Sequence, residues 1–362
     1  MVGEGWLPPL GAWIAGAALL FAAAVATGHD PLASSSWARW DSGYYEGIAR
    51  HGYELHRCRP GEGVNARAQW CGNTAWFPGY PLLIAAVSAV GVPVVPGAVA
   101  ISWAAGAATL ILLWRWFLPR RVAPLACAAF APGLVYLYAV FPLSLLTLAG
   151  VVFLRYLERD PRIAGLAGGV AALAYPLGVA IVPGIALLRW WQRRDRGWAF
   201  RRVLAVGGPA VAAGAGIVVV QRLQTGRWTA YYDVANNYGG VHNPATTISD
   251  WVTVLWQSKN AFGYSLAPIW QFLLVTVLLV AAIAAALVRG RRTDPGLVVW
   301  CLGVWFVPLL QSQQSLWRSE AALLPLVALL ALLPRRALWI CAAALLVVAF
   351  GVAHEFFAGS LI

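Results

Sequence analysis

Charged residues are scarce in this chain of 362 residues. They make up 11% of the sequence, against about 25% in a typical soluble domain, while 60% of the residues are hydrophobic. This balance argues against a water-soluble fold and against intrinsic disorder, which requires low hydrophobicity. Five cysteines are too few for a disulfide scaffold of this length. Lys259 is the only lysine, so arginine carries almost all of the basic charge behind the formal net charge of +12.

Several catalytic signatures are also missing. The sequence has no glycine-rich phosphate loop, no cysteine or histidine pair at zinc-site spacing and no Gly-x-Ser-x-Gly elbow. No apolar run carries an acid paired with a base, as a proton-coupled carrier requires, which argues against a secondary transporter. We therefore look for the chemistry in the polar segments between the apolar runs.

What the sequence does contain is a series of apolar runs separated by short arginine clusters. Because a helix needs roughly 20 apolar residues to cross the hydrocarbon core, these runs predict an all-α, polytopic membrane protein. We predict a single domain, residues 1–362, with about eleven transmembrane helices. They are expected at about 10–26, 97–117, 122–138, 141–157, 163–174, 177–188, 203–220, 266–288, 296–310, 321–333 and 337–352.

The arginine clusters set the predicted orientation. With the N-terminus inside and the C-terminus outside, the inner segments carry 17 basic residues against 5 acids, and the outer segments carry 9 against 9. Cytoplasmic loops are enriched in arginine and lysine, so this layout follows the positive-inside rule. The basic excess then orients the spans and is not evidence for nucleic-acid binding. No removable signal peptide is expected, because no basic segment precedes the first apolar run.

Two extracytoplasmic loops are predicted, at 28–95 and 221–265, and all five histidines fall on the outer face. Residues 76–95 are too short and too rich in proline for a span, so we expect an interfacial amphipathic helix there. The pair of spans at 163–188 is also short and is broken at Tyr175-Pro176, because proline removes a backbone donor. Either a full crossing or a bend near the outer surface fits this pair.

An aromatic stretch in the first loop, residues 36–53, is predicted to form a helix. On such a helix Trp37, Asp41, Tyr45 and Ile48 share one face, by the i, i+3, i+4 rule. Tryptophan and tyrosine favour the membrane interface, so this helix would hold the Asp41 carboxylate where a lipid headgroup meets water. A helix N-cap is the alternative role for Asp41, since aspartate favours that position.

Four segments carry recognisable motifs. They are Arg39-Trp40-Asp41-Ser42-x-Tyr44-Tyr45-x-x-Ile48-Ala49-x-x-Gly52-Tyr53, Ala75-Trp76-Phe77-Pro78-Gly79-Tyr80-Pro81-Leu82-Leu83, Thr225-Gly226-Arg227-x-x-Ala230-Tyr231 and Ser315-x-x-Arg318-x-Glu320-x-x-Leu323-x-Pro325. The first two resemble the opening of the PIG-V family, which contains the second mannosyltransferase of glycosylphosphatidylinositol assembly and its bacterial relatives. The last two resemble, more loosely, the GT-C superfamily of polyprenyl-phosphate-sugar-dependent transferases. The chain has Tyr44 where family members often have histidine.

The resemblance implies a GT-C-like bundle in the cell membrane that transfers a sugar, expected to be mannose, with inversion. The donor would be a polyprenyl-phosphate sugar and the acceptor a lipid-linked or cell-surface glycan on the extracytoplasmic face. Inversion in one displacement requires a base within hydrogen-bond reach of the acceptor hydroxyl, and Asp41 is the candidate. Arg318 is the candidate for the donor phosphate, because arginine binds phosphate in a bidentate manner. The alternative for Arg318 is a surface arginine that snorkels at a helix end.

Weaker candidates accompany these two. His51, Arg222, Arg227 and Lys259 are further candidates for binding phosphate, and each also fits an ordinary loop residue. Aromatic side chains are candidates for stacking on a sugar ring, with an aromatic belt as the alternative. They are Trp40, Tyr44, Tyr45, Tyr80 and Tyr231.

A second polar cluster lies in the second loop. Asp233, with Asn236 and Asn237, either binds acceptor hydroxyls or caps a loop. No cofactor is predicted. A divalent metal at Asp41, His51 or His56 is left open, because the carboxylate and imidazole ligands are dispersed.

The cysteines divide into two groups. Cys58 and Cys71 lie in the first outer loop, in oxidising surroundings, and we predict a disulfide that contributes on the order of 3 kcal/mol. Cys127, Cys301 and Cys341 fall in spans and are expected to be small apolar fillers.

Two other classes of function stay open beside the transferase. A flippase for polyprenyl-linked glycans would move lipid even after Asp41→Asn, and it would require polar residues inside the spans, which are scarce. A scaffold would bind a partner through its outer loops. The transferase hypothesis predicts a polyprenyl-phosphate sugar, a glycan acceptor and membrane lipids as partners, and no nucleic acid.

Overall fold

The chain is nearly all helical in the residues that the computed structural model describes, which are 5–62, 69–118, 121–193, 199–238, 244–257, 265–288, 293–310 and 313–361. One antiparallel hairpin pairs β1 (Leu55–Arg57) with β2 (Trp70–Gly72), and His56 lies opposite Cys71 in it. The helices are α1 (Leu7–Ala26), α2 (Ser42–His51), α3 (Gly79–Ala89), α4 (Val94–Trp116), α5 (Val122–Ala129), α6 (Val135–Tyr138), α7 (Leu143–Tyr156), α8 (Pro161–Ala174), α9 (Pro176–Arg193), α10 (Phe200–Thr225), α11 (Ala230–Ala235), α12 (Pro244–Gln257), α13 (Leu266–Val288), α14 (Pro295–Phe306), α15 (Gln313–Ser319), α16 (Leu326–Leu330) and α17 (Arg335–Ala358).

Five of these helices, α1, α4, α10, α13 and α17, are long and apolar enough to cross a membrane, by length and composition. Helices α7 and α8 are apolar but have only 14 residues each, and α14 continues as a 3₁₀ turn at Val307–Leu310. A polytopic, nearly all-α membrane protein is therefore supported. Eleven spans stay a prediction, because the other expected spans fall on shorter or broken helices.

Two predicted spans are not continuous helices. In 122–138 the helix stops at Ala129, and the chain turns at Gly133, which has left-handed backbone (φ 62°), before α6. The freed Gly133 amide donates to Gln271 Oε1 at 2.8 Å, so the turn leaves this backbone donor satisfied. In 321–333 a 3₁₀ turn precedes α16, and Pro325 between them has no amide to continue the helix. The break predicted at Tyr175-Pro176 is present, with Tyr175 extended between α8 and α9.

The prediction of a helix over 36–53 is correct only for the second half of that segment. Ser34–Trp37 is a 3₁₀ turn, and α2 begins at Ser42, so Trp37 and Asp41 do not share a helix face. Within α2, Tyr45 and Ile48 are both buried, as the spacing predicts. In the region 76–95 the chain forms the separate short helix α3, and its position at a membrane interface stays a prediction.

Small residues allow α8 and α10 to pack closely. A Cβ at Gly165 would lie 2.0 Å from the Ala205 carbonyl oxygen, so only glycine permits this approach. This contact fixes α8, which ends at the Tyr175 break.

Ion pairs join the ends of α7, α9 and α14 at one end of the bundle. Arg189, on α9, is 3% exposed and contacts Glu158, just beyond α7, at 3.3 Å. It also pairs with Asp294, whose carboxylate caps α14 by accepting from the Gly296 amide at 2.7 Å. At the opposite end of α9, Tyr175 is hydrogen-bonded to Ser319 of α15, and α15 also contacts α14.

Candidate active site

The centre of the site is an ion pair between Asp41 and Arg318. Nη1 of Arg318 donates to Oδ2 of Asp41, although 277 positions separate the two residues in the chain. Their side chains are 19% and 14% exposed, so the pair is largely enclosed yet open to the surface. The two candidates with the strongest sequence arguments therefore lie in direct contact.

The backbone around Asp41 is held by the segment between α6 and α7. The Val140 amide donates to the Trp37 carbonyl at 3.1 Å. Ser42 Oγ is within hydrogen-bond distance of the carbonyls of Arg39, at 2.6 Å, and Val140, at 3.3 Å. These contacts anchor the chain on both sides of Asp41.

Trp40 takes a strained conformation next to Asp41. It has φ 57°, and it is the only non-glycine residue with positive φ in the part of the chain that the structure describes. A left-handed conformation costs on the order of 1–2 kcal/mol for a residue with a Cβ, and such strain clusters at functional sites. Asp41 occupies the position before α2, but its carboxylate makes no capping hydrogen bond. The N-cap role is therefore not the one that Asp41 has in the structure, since its carboxylate turns to Arg318.

Two aromatic side chains contact Arg318, and a third holds its neighbour Ser319. Tyr136, on α6, makes a side-chain hydrogen bond with it, and the Phe141 ring lies 5.6 Å from its Cζ. The neighbouring Ser319 is hydrogen-bonded to Tyr175 at the break between α8 and α9. Arg318 is thus an enclosed, partnered cation and not a snorkelling surface residue.

The charge of Arg318 is secured by its surroundings. Burial is the largest single influence and lowers the pKa of the guanidinium, but the negative charge of Asp41, with smaller contributions from the nearby phenols, outweighs it. The pKa of Arg318 is therefore raised above its ordinary value. An arginine that stays cationic in an enclosed site is suited to bind an anion.

Tyr45 packs beneath the ion pair. It is 2% exposed, and its ring makes edge contacts with Tyr80 at 5.8 Å and Phe141 at 6.1 Å. Burial, followed by the Asp41 charge, raises the pKa of Tyr45, so its phenol stays protonated. Tyr80 is fully buried, and its hydroxyl lies 2.8 Å from both the Ala98 carbonyl and Ser102 Oγ. Tyr80 therefore serves in packing, and its predicted role in stacking on a sugar does not fit this burial.

The remaining aromatic candidates lie in the two loops predicted to be extracytoplasmic. Trp40 is 37% exposed beside Asp41. Tyr44 stacks on Trp76 with ring centroids 3.7 Å apart. Tyr231 makes an edge contact with Phe77 at 5.8 Å. Of this group, Trp40 and Tyr44 flank Asp41 in the sequence.

The two loops predicted to be extracytoplasmic are joined to each other. Trp70 of β2 has the guanidinium groups of Arg57 and Arg227 each 4.3 Å from its ring. Cys58 and Cys71 form the predicted disulfide. Asn237 is 2% exposed and its Nδ2 lies 3.4 Å from Cys71 Sγ. These contacts make the hairpin and the second loop one unit.

The polar side chains of the second cluster bond mostly within their own loop. Asp233 accepts from Arg227 Nε at 2.9 Å and from Thr229 Oγ1 at 2.8 Å, which is the predicted alternative of capping a loop. Asn236 is exposed at the end of α11. Buried Asn237 contacts the disulfide, so an acceptor does not reach it without a rearrangement.

The weaker phosphate candidates lie apart from Arg318. His51 ends α2 while Asp41 precedes it, and at 1.5 Å per residue this separates them by about 15 Å. His51 is therefore not a ligand of a phosphate at Arg318. Arg222 lies 5.8 Å from the Trp228 ring, and Arg227 is paired with Asp233. Lys259 lies outside the described residues.

A metal site is not formed by the residues that the structure describes. They contain no group of three histidine, cysteine or acidic side chains that could hold a metal ion. His56, one of the possible ligands, pairs instead with Glu62 at 2.9 Å.

Sequence reasoning missed three aromatic residues of the site, Tyr136, Phe141 and Tyr175. All three lie in or beside predicted spans, at points where the helices are interrupted. The available signals were the proline residues that follow Phe141 and Tyr175. It also gave no role to Glu320, which is fully buried and accepts from Gln271 Nε2 two residues after Arg318.

No protein-family model matches the chain, and no curated protein matches its sequence.

Proposed function

We propose that this protein is an inverting glycosyltransferase that moves a sugar, expected to be mannose, from a polyprenyl-phosphate donor to a glycan or glycolipid acceptor. The observation that carries the proposal is the contact of Asp41 with Arg318 in one enclosed site. A single displacement from a sugar phosphate uses a base on the acceptor side and a cation on the phosphate side, and this site holds one of each. The two must separate for the sugar to lie between them.

The reaction assigns one role to each group. The acceptor hydroxyl oxygen attacks the anomeric carbon from the face opposite the phosphate, and Asp41 takes the hydroxyl proton. The bond between the anomeric carbon and the phosphate oxygen breaks, and its electron pair leaves with the phosphate. Negative charge grows on the leaving phosphate, and Arg318 stabilises it through charge-assisted hydrogen bonds. The products are the extended glycan and the polyprenyl phosphate.

We further propose that the site faces the extracytoplasmic side of an eleven-span bundle. The arginine clusters support this orientation through the positive-inside rule. The contacts of the described residues support the grouping of the loops, since Glu158, Arg189 and Asp294 meet at one end and Asp41 meets Arg318 at the other. A lipid-anchored donor reaches such a site from the bilayer without a nucleotide-binding domain.

The test is transfer by the purified full chain in nanodiscs. Polyprenyl-phosphate mannose and extracted membrane lipids are supplied, and products are examined by mass spectrometry for the addition of one hexose. We expect Asp41→Asn and Arg318→Gln to lower transfer by at least about a hundredfold, in the range that loss of general base catalysis produces. Asp30→Asn is the matched control, because Asp30 is an acid of the same loop whose Oδ1 accepts the local amide of Leu32.

Two outcomes would refute the proposal. If a folded Asp41→Asn variant transfers sugar at the full rate, Asp41 is not the base. Movement of polyprenyl-linked glycan across vesicles, unchanged in that variant and without any hexose addition, supports a flippase instead.

A further inference from the structure

A buried glutamine of α13 bonds to the chain on both sides of Arg318. Gln271 is 1% exposed, and it carries the only side-chain amide of α13, a helix without charged residues. Its Nε2 donates to the Trp317 carbonyl at 3.2 Å and to Oε2 of Glu320, and its Oε1 accepts from the Gly133 amide at 2.8 Å. Both N–H groups and the oxygen of this side chain are therefore engaged.

These bonds hold the backbone that carries Arg318. Trp317 comes directly before Arg318 and Glu320 follows it by two positions, so Gln271 contacts both α15 and the 3₁₀ turn after it. Helix α15 has only seven residues, and so short a helix gains little stability from its own hydrogen bonds. Its position therefore depends on contacts with other elements.

The same glutamine holds the segment that bonds the Arg318 guanidinium. The Gly133 amide, which donates to Gln271, lies three positions before Tyr136, and Tyr136 makes the side-chain hydrogen bond with Arg318. The two segments also meet directly, because a Cβ at Gly133 would lie 2.8 Å from the Ala321 amide nitrogen. Gln271 thus joins α15, which carries the guanidinium, to the turn that leads to its phenol partner.

Packing alone does not account for an amide at this position. Helix α13 is one of the five that are long and apolar enough to cross a membrane, and a buried polar side chain is unfavourable there unless hydrogen bonds satisfy it. An aliphatic side chain of similar volume would fill the same space without that cost. Hydrogen bonds to the polar backbone groups of two interrupted segments are what the amide of Gln271 adds.

We infer that Gln271 is a positioning residue for the donor phosphate, because it keeps Arg318 and Tyr136 in place when Asp41 separates from the guanidinium. The inference rests on the proposed function for the identity of the anion, a polyprenyl phosphate. The proposed reaction separates the ion pair, and Arg318 then loses the partner that it has in the structure. None of the three hydrogen bonds of Gln271 involves Asp41, so they are retained when the pair opens.

The test replaces the amide by an apolar side chain of similar length. Gln271→Met removes all three hydrogen bonds, and unbranched methionine fills the space that the glutamine leaves. Gln221→Met is the matched control. Gln221, on α10, is also 1% exposed and donates to a backbone carbonyl, that of Thr74 at 2.7 Å, but this bond holds the first loop and not the segments around Arg318.

Two measurements on the full chain in nanodiscs report separate steps. Calorimetric titration of a short-chain polyprenyl-phosphate mannose gives the donor Kd, and transfer assays at saturating donor give kcat and the acceptor KM. We expect Gln271→Met to raise the donor Kd and lower kcat, each about tenfold, because a displaced guanidinium stabilises the phosphate charge less well. The acceptor KM should be unchanged, and Gln221→Met should leave the donor Kd unchanged.

A double variant distinguishes positioning from a general loss of structure. If Gln271 acts through Arg318, then Gln271→Met should not raise the donor Kd further in an Arg318→Gln background, since residues that act together are not additive. An additive effect, or an unchanged donor Kd in folded Gln271→Met, overturns the inference. If thermal unfolding shows that Gln271→Met does not fold, Gln271→Asn takes its place with Gln221→Asn as control, because asparagine keeps the amide but is one methylene shorter.

The two proposals fail in different ways. Binding of polyprenyl-phosphate mannose that is weakened by Gln271→Met, without any transfer, supports the inference and refutes the transferase. Transfer with the same donor Kd in Gln271→Met as in the unaltered protein refutes the inference and leaves the transferase standing. If the unaltered protein does not bind polyprenyl-phosphate mannose, both proposals are refuted.

Discussion

Replacing Asp41 is expected to have opposite effects on transfer and on donor binding. In the structure Arg318 is engaged by the Asp41 carboxylate, so a donor phosphate must displace that carboxylate before it binds the guanidinium. Asp41→Asn removes the competing charge and leaves Arg318 in place. The variant should therefore bind the donor more tightly while it fails to catalyse transfer.

The magnitude follows from the enclosure of the pair. A fully exposed ion pair contributes about 0.2–1 kcal/mol, and a hydrogen bond to a charged group about 1.5–3 kcal/mol. With side chains 19% and 14% exposed, the Asp41–Arg318 contact lies between these ranges, at about 1–1.5 kcal/mol. Since 1.4 kcal/mol corresponds to a factor of ten, the Kd for the donor should fall roughly tenfold in Asp41→Asn.

The assay is calorimetric titration of a short-chain polyprenyl-phosphate mannose into the protein in nanodiscs. Removal of any negative charge slightly strengthens the binding of an anionic donor. The donor Kd of Asp30→Asn therefore measures this net-charge effect. Arg318→Gln should weaken donor binding in the same assay, and the double variant should bind no better than Arg318→Gln. Thermal unfolding establishes that each variant is folded.

One result would refute this reasoning. If folded Asp41→Asn binds the donor as weakly as Arg318→Gln does, the ion pair organises the site and does not compete with the phosphate. The roles assigned to the two residues would then have to be abandoned together.

Three further predictions concern the surroundings of the site. Trp40→Gly should unfold at a higher temperature than Trp40→Ala, by the equivalent of about 1 kcal/mol, because only glycine relieves the left-handed backbone; equal unfolding temperatures contradict the strain. Cys71→Ala should destabilise the first loop by about 3 kcal/mol, seen as faster hydrogen exchange in the hairpin, whereas Cys341→Ala, which removes a free thiol, should leave it unchanged. Labelling of single cysteines with a membrane-impermeant maleimide should modify Leu32→Cys in intact cells and Arg336→Cys only after permeabilisation; the reverse pattern contradicts the orientation.

The sequence located the two charges of the site but not their contact. Asp41 and Arg318 were each recognised from a motif and from the chemistry that a sugar phosphate requires. No local pattern relates positions 277 residues apart, because their contact depends on how α15 packs against the loop before α2. The alternative for Arg318, a surface residue at a helix end, is equally compatible with its motif, and the enclosure by Tyr136 and Phe141 decides between them.

Helix continuity was predicted well where the chain is uniform and poorly where it bends. The runs that became α1, α4, α10, α13 and α17 are apolar over more than 18 residues, so hydropathy alone identifies them. Hydropathy does not register a break whose freed backbone groups find partners elsewhere. The Gly133 amide is satisfied by Gln271 of a distant helix, and that partner cannot be inferred from residues 122–138.

The broken helices explain why the site lies where it does. Irregular backbone at membrane depth is tolerated only where it is buried in protein or lines a polar cavity. Tyr136, Phe141 and Tyr175 lie at interruptions of helices that are predicted to span the membrane, and all three lie near Arg318. The proposed site therefore draws on more than the loops, because the ends of interrupted helices supply aromatic groups around Arg318. An enclosed Asp41–Arg318 pair requires both parts, since the loop brings the carboxylate and the broken helices shield the guanidinium from water.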